Sequence, residues 1–203
     1  SVAGGGRLAR LLAGAGTEAA ALETVALAWL EAGADPFADP AGASALHHAA
    51  GRGLPALTAR LLERGAHAGG ADRDGVTPLH RALAHADDRA LPLALLLLRH
   101  GADPEAAAGS GETPLGLAND GDRGAVVDWL RWRGWRLPGR KLGGHDLAAA
   151  ARAGDATAVR RLLSLGLPIN GRDSHGCTAL IHAAGAGHTD VLEALLGQGA
   201  DVA

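Results

Sequence analysis

The chain has 203 residues, room for one or two domains, and a formal net charge of -3, which makes no overall electrostatic case for nucleic acid. No apolar run reaches the roughly 18–20 residues of a membrane span. The longest, Leu91 to Leu98, is interrupted by Pro92 and ends at Arg99 and His100. Hydrophobic residues make up 47% and aromatics only 2%, so the core must be Leu, Ala and Val, and 31 glycines point to many short helices with frequent stops.

Self-similarity organises the chain. Leucines recur at Leu46, Leu79, Leu115, Leu147 and Leu180, in steps of 33, 36, 32 and 33. Glycines recur at Gly33, Gly65, Gly101, Gly134, Gly166 and Gly199, in steps of 32, 36, 33, 32 and 33. Each leucine precedes its glycine by 19 residues except Leu79, where the gap is 22. Three residues are therefore inserted near Ala86 to Arg89, between the two helices of that unit.

The predicted elements follow in chain order. A first unit, 1–38, carries helices over about 7–13 and 18–32 and closes on Gly33-Ala34-Asp35-Pro36. Unit 39–71 has Asp39, Gly42 and Ser44 before Leu46, then Ala49-Ala50, then a helix with Leu57, Leu61 and Leu62. Unit 72–107 repeats this as Asp72, Gly75, Thr77-Pro78-Leu79 and carries the insertion. Unit 108–139 keeps Gly111 and Thr113-Pro114-Leu115 but has Ala108 in place of Asp. Unit 140–172 replaces the turn by Leu142-Gly143-Gly144-His145-Asp146-Leu147, then recovers Ala150-Ala151, Val159, Leu162 and Leu163. Unit 173–203 restores Asp173, Gly176 and Thr178, then Ala183-Ala184, Val191, Leu195 and Leu196. Physically, the glycine permits a tight turn, Ser or Thr caps the first helix, proline fits its first position, and the ladder glycine stops the second. Neither helix buries its apolar face alone; stacked neighbours share one core. All six units are expected to form one domain, 1–203, cut from a longer chain.

These motifs resemble the ankyrin repeat. The strongest carriers are Asp72-Arg73-Asp74-Gly75-Val76-Thr77-Pro78-Leu79-His80 with Leu95 to Asp103, and Gly176-Cys177-Thr178-Ala179-Leu180 with Gly187-His188 and Gly199-Ala200-Asp201-Val202. The resemblance covers about residues 18–203. It implies an all-α solenoid of about six helix-turn-helix units with β-hairpin fingers, an L-shaped section and a concave face of fingertips and first helices. It makes unit 1–38 a degenerate cap, unit 108–139 divergent (Gly116 stands where His47 and His80 do) and unit 140–172 without a regular finger. His47, His80 and His188 then hold structural positions, the first two bonding finger backbone.

The same resemblance implies a partner-binding row of His48, Arg52, Arg73, Val76, Arg81, His85, Glu112, Leu117, Arg152, His175 and His182. Arg52, Arg73 and Arg81 suit an acidic partner. Three of the four tryptophans fall within seven residues, in Trp129-Leu130-Arg131-Trp132-Arg133-Gly134-Trp135-Arg136. Trp129 and Trp132 occupy positions that are polar in other units, as Arg60 and Glu63. Trp129, Trp132, Arg133 and Trp135 are thus a second contact candidate, set against ring packing at an irregular junction. The basic stretch Arg131 to Lys141 reads as a solvated face, and Gly139 to Gly144 lacks the Gly-Lys-Ser/Thr ending of a phosphate loop.

No catalytic residue, metal or cofactor is expected. There are ten histidines but no paired cysteines and no tight His/Asp cluster. Cys177 with His175 and His182 is the nearest approach to a nucleophile–base set, and Cys177, at a variable finger position, reads as a surface thiol. The chain is therefore expected to be a non-catalytic protein-interaction scaffold. Its partner would be another protein or another domain of the same chain. The alternative is a sensory module for a small anionic ligand. A single cysteine leaves the compartment open, with the cytoplasm slightly favoured. The abundance of Ala, Gly, Leu and Arg fits a high-GC, bacterial genome.

Overall fold

The computed structural model describes residues 7–14, 18–35, 43–84, 89–120 and 139–202. The chain divides into two compact units, Ser1–Trp132 and Arg133–Ala203. The first unit holds helices α1 (Arg7–Ala13), α2 (Ala19–Glu31), α3 (Ala45–Gly51), α4 (Pro55–Glu63), α5 (Pro78–Leu83), α6 (Ala90–Arg99) and α7 (Pro114–Asp120). Successive helices pair as α1 with α2, α3 with α4 and α5 with α6. Pairs then stack like on like: α1, α3, α5 and α7 in one row and α2, α4 and α6 in the other.

Small residues permit the close row. Ala45, Ala49 and Ala50 on α3 and Ala82 on α5 are buried with Leu46, Leu79 and Leu83. Leu22, Leu30, Leu57, Leu61, Leu93 and Leu97 fill the space between the rows and are essentially fully buried. Each burial of such a leucine is worth about 1.5–3 kcal/mol, which the ordering of a short helix largely consumes. The stack therefore depends on neighbours, as in other repeat arrays.

The second unit repeats the plan with α8 (Gly144–Arg152), α9 (Ala156–Ser164), α10 (Ala179–Ala186) and α11 (Thr189–Leu196). Its first helices α8 and α10 pack together, as do its second helices α9 and α11. Leu147, Ala150, Ala151, Val159, Leu162, Ala183, Val191 and Leu195 form its core. Leu196, expected among the apolar helix positions, is instead 49% exposed. Helix α11 meets α9 and α10 through the face bearing Val191 and Leu195, and Leu196 falls beside that face.

The ladder glycines stop the second helices as expected. Gly33, Gly65, Gly101, Gly166 and Gly199 all have φ between 77° and 93°, where a Cβ is disfavoured. Gly134 and most of the insertion before Arg89 lie outside the described residues.

The expected β-hairpin fingers are tight turns. Asp72 N–H donates to the Val76 carbonyl (2.9 Å) and Gly75 N–H to the Asp72 carbonyl (3.0 Å). The turns at 108–112 and 173–177 repeat both bonds. No strand occurs among the described residues; one isolated bridge pairs Arg172 with Thr178. Turns this short close without the inter-strand ladder that defines a hairpin.

Neighbouring turns touch where glycines allow it. Gly109 N–H donates to the Asp74 carbonyl at 2.7 Å. A Cβ on Gly75 would lie 2.9 Å from Gly109 N, and Gly75 also has φ 76°. The segment before α8, expected to lack a finger, has a different anchor. The Asp146 carboxylate accepts from Gly143 N–H (2.8 Å) and from both terminal nitrogens of Arg140 (3.0 and 2.7 Å). That hydrogen bond holds the Arg140 guanidinium pKa above its ordinary value, against a smaller desolvation effect.

Gly75→Ala combines a left-handed backbone with a clash at the adjacent turn. It is expected to lower the unfolding free energy by about 2 kcal/mol or more, read by urea titration of the 203-residue chain. Gly111→Ala, whose Cβ would meet nothing within 4 Å, should cost only the backbone share, about 1–2 kcal/mol.

Candidate functional site

In the first unit the turns and first helices are joined by buried histidines. His47 Nδ1 accepts from Ser44 N–H (3.2 Å) and the Ser44 hydroxyl (2.8 Å), while its Nε2–H donates to the Val76 carbonyl at 3.0 Å. His80 repeats this with Thr77 N–H (3.1 Å), the Thr77 hydroxyl (2.8 Å) and the Glu112 carbonyl (3.1 Å). Each imidazole thus caps its own helix and reaches the next turn. Only the neutral ring can accept at Nδ1 while donating at Nε2. Burial lowers the His47 pKa from the ordinary 6.5, opposed by the bond to Val76.

Asp72 builds its turn from the other side. Its Oδ1 accepts from Asp74 N–H (3.0 Å) and Val76 N–H (2.9 Å), and Oδ2 accepts from Arg81 at 3.0 Å. Desolvation would raise the carboxyl's pKa, but the Arg81 guanidinium and the two N–H groups outweigh it and hold it below the usual range.

These bonds decide what the expected binding row presents. Arg73 and Glu112 are exposed on successive turns, and Val76 and Leu117 are half-buried. His48 is half-buried on α3. Arg81 is exposed but committed to Asp72. Arg52 donates to the Gly14 carbonyl. Two of the three arginines assigned to an acidic partner are therefore engaged within the unit, because a guanidinium beside a turn carboxylate or an open carbonyl pairs with it first. His85 lies outside the described residues, as do Trp129, Trp132, Arg133 and Trp135.

In the second unit, Arg152 is exposed and its carbonyl accepts from His188 Nε2–H at 3.1 Å, a structural bond for His188. His175 stands at the turn tip with its side chain 82% exposed. His182 is half-buried on α10, its Nε2–H donating to Asp173 Oδ2 at 2.7 Å. Asp173 Oδ1 accepts from His175 N–H (2.8 Å) and Cys177 N–H (3.0 Å). The bond from His182, with those from the backbone, lowers the Asp173 pKa to about 2. Asp173, His175 and His182 border a 260 Å³ cleft with His145 and Arg152, floored by Ala148 and Ala149.

The turn brings together a group that spacing along the sequence did not reveal. Single donor atoms of Asp173, Cys177 and His182 all lie within 4.8 Å of one another. Cys177, expected as a surface thiol, is half-buried beside them. The signal was present in the comparison of turns: Val76 and Arg81 correspond to Cys177 and His182.

The turns, staples and alternating helix rows define a helical repeat protein. A family model described as ankyrin repeats (3 copies) matches residues 17–108 and 118–203. The chain belongs to the ankyrin-repeat family. It is similar to the Caenorhabditis elegans ankyrin repeat and LEM domain-containing protein 1 homolog, 48% identical over 71 residues, covering 35% of this chain and 9% of the relative. It is similar to mouse ankyrin repeat and SOCS box protein 16, 43% identical over 95 residues, covering 47% and 18%. It is also similar to human SH3 and multiple ankyrin repeat domains protein 2, 33% identical over 143 residues, covering 66% and 8%. The chain thus spans less than a fifth of each of these relatives. They are animal proteins and lend no support to a bacterial origin. No helix among the described residues is long and apolar enough to cross a membrane.

Two outcomes test the staple. His80→Ala strands the buried Thr77 N–H and removes one of the two bonds to the Glu112 carbonyl, which keeps Ala108 N–H, and should cost about 1–3 kcal/mol in urea unfolding. For His47, the unfolded ring binds a proton near 6.5 and the folded ring only at lower pH. Unfolding therefore takes up a proton, and stability falls as pH drops below about 6.5. Urea midpoints between about pH 7.5 and pH 5 should show a shallower slope for His47→Ala than for the parent chain.

Proposed function

We propose that the chain is a non-catalytic protein-interaction scaffold, binding another protein or another domain of its own polypeptide through turn tips and first helices. These form the concave face that membership of the family implies. The observation that carries this reading is the double tether of the turn at 72–76. Asp72 closes the turn at 72–76 from within and His47 fixes it from the preceding helix. A surface held in this way needs little ordering on binding, so more of the contact energy appears as affinity.

Side chains, not backbone, are left to select the partner. Arg73 and Glu112 project from adjacent turns, while the backbone around them is already bonded. Opposite charges on neighbouring turns favour a partner with a complementary pair over one that is uniformly acidic. Second-helix residues such as Arg60, Glu63 and Arg64 instead pair with one another and with Glu31. Exposed pairs of that kind add about 0–1 kcal/mol and give the opposite face little unmet charge. No nucleophile–base set is needed for this role, and His182 Nε2–H is bonded to Asp173 Oδ2 rather than to the Cys177 thiol.

The experiment is affinity capture with the chain as bait, followed by cross-linking to map the bound partner. Arg73→Glu and Glu112→Lys should each weaken capture tenfold or more, about 1.4 kcal/mol, with unchanged circular dichroism. Glu63→Gln on α4 should leave capture unchanged. Loss of capture through Glu63→Gln, with both turn variants still binding, overturns the assignment of the face.

A further inference from the structure

The turns at 72–76 and 173–177 share one frame and differ in the chemistry mounted on it. In both, the aspartate Oδ1 accepts from two turn N–H groups and Oδ2 accepts from a side chain nine residues on. In the first turn that side chain is Arg81, and the residue before the capping threonine is Val76. In the second turn both positions carry metal-ligating types, His182 and Cys177, around the same carboxylate. One such replacement is unremarkable; two converging on one carboxylate assemble a donor set.

We propose that Asp173, Cys177 and His182 form a binding site for a borderline-soft divalent metal ion of the zinc class, with solvent in the fourth position. Carboxylate, thiolate and imidazole together are a zinc-type set, and hard ions such as calcium or magnesium are disfavoured by the sulfur. Bond lengths of about 2.0–2.3 Å in a tetrahedron place ligand atoms about 3.3–3.8 Å apart. The three donors already lie within 4.8 Å of one another, so rotamer-scale shifts bring them to that spacing.

The proton balance is simple. The thiol loses its proton to solvent on binding, and the imidazole takes the Nδ1–H tautomer, freeing Nε2 for the metal. The metal replaces the proton now shared between His182 Nε2 and Asp173 Oδ2 at 2.7 Å. Asp173 Oδ1 keeps its two backbone donors, which orient the carboxylate as outer-shell bonds do in built sites. A bound ion therefore clips the turn to α10 where the sibling turn uses Arg81. The site stands independently of the proposed interaction role.

The test uses the 203-residue chain, reduced and stripped of metal, titrated with Co2+ and then Zn2+. Co2+ should produce a thiolate-to-cobalt charge-transfer band in the near ultraviolet, Zn2+ should displace it, and saturating Zn2+ should raise the thermal midpoint. Cys177→Val and His182→Arg install the residues of the sibling turn and so keep its frame. Each should abolish the band and weaken Zn2+ binding by more than about tenfold, with unchanged circular dichroism. Absence of the band in the parent chain overturns the proposal. So does a band of full strength in His182→Arg, which would mean capture by the thiol alone.

Discussion

One buried hydrogen bond recurs through the first unit and the rest of that unit depends on it: the imidazole N–H of a first helix donated to a carbonyl in the next turn. A helix of six or seven residues is too short to be stable by its own backbone bonds. His47 and His80 solve two problems with one ring. At Nδ1 they satisfy the N-terminal N–H that α3 and α5 would otherwise leave orphaned. At Nε2 they donate a second bond to the turn carbonyl that already closes its own turn. Both rings are almost wholly buried, so each bond is made where leaving it unmade would be most costly. The staple thus couples helix formation in one repeat to turn formation in the next, which is the nearest-neighbour term that makes such stacks cooperative.

The two irregular repeats each depart from that coupling. Gly116 takes the staple position on α7, and its N–H donates to Thr113 Oγ1 at 3.1 Å, so the helix is still capped but the position has no side chain to donate onward. The following repeat in sequence has no Gly-x-Thr turn to receive a staple. It starts α8 instead from Asp146, gripped by Arg140 and by Gly143 N–H. Gly144 and Gly171 then approach so closely that a Cβ on Gly144 would lie 2.9 Å from the Gly171 Cα. Backbone contact stands in for the missing turn.

The sequence made the periodic features legible and the local ones less so. Leucine and glycine ladders depend only on spacing, and the buried Leu46, Leu79 and Leu147 and the left-handed Gly65 and Gly166 follow from it. What spacing could not resolve was side-chain pairing across nine residues. Arg81 looked available to a partner because its position faces outward, yet Asp72 takes its charge. Arg52 looked equally available, yet its guanidinium reaches the Gly14 carbonyl 38 residues away. Leu196 matched the apolar pattern of α11, but the pattern does not say which side of the helix a neighbour covers. The tryptophan segment Trp129 to Trp135 lies outside the described residues and takes no part in this comparison.

The pairing across nine residues is also where the repeats acquire individual chemistry. The frame asks only that a donor on the first helix meet the turn aspartate. Arg81 meets that demand with a permanent charge and a planar fork. His182 meets it with a ring that can exchange its proton for another Lewis acid. The frame tolerates either because Oδ1 of the aspartate, not Oδ2, closes the turn. A repeat can therefore change what it offers at Oδ2 without losing its shape.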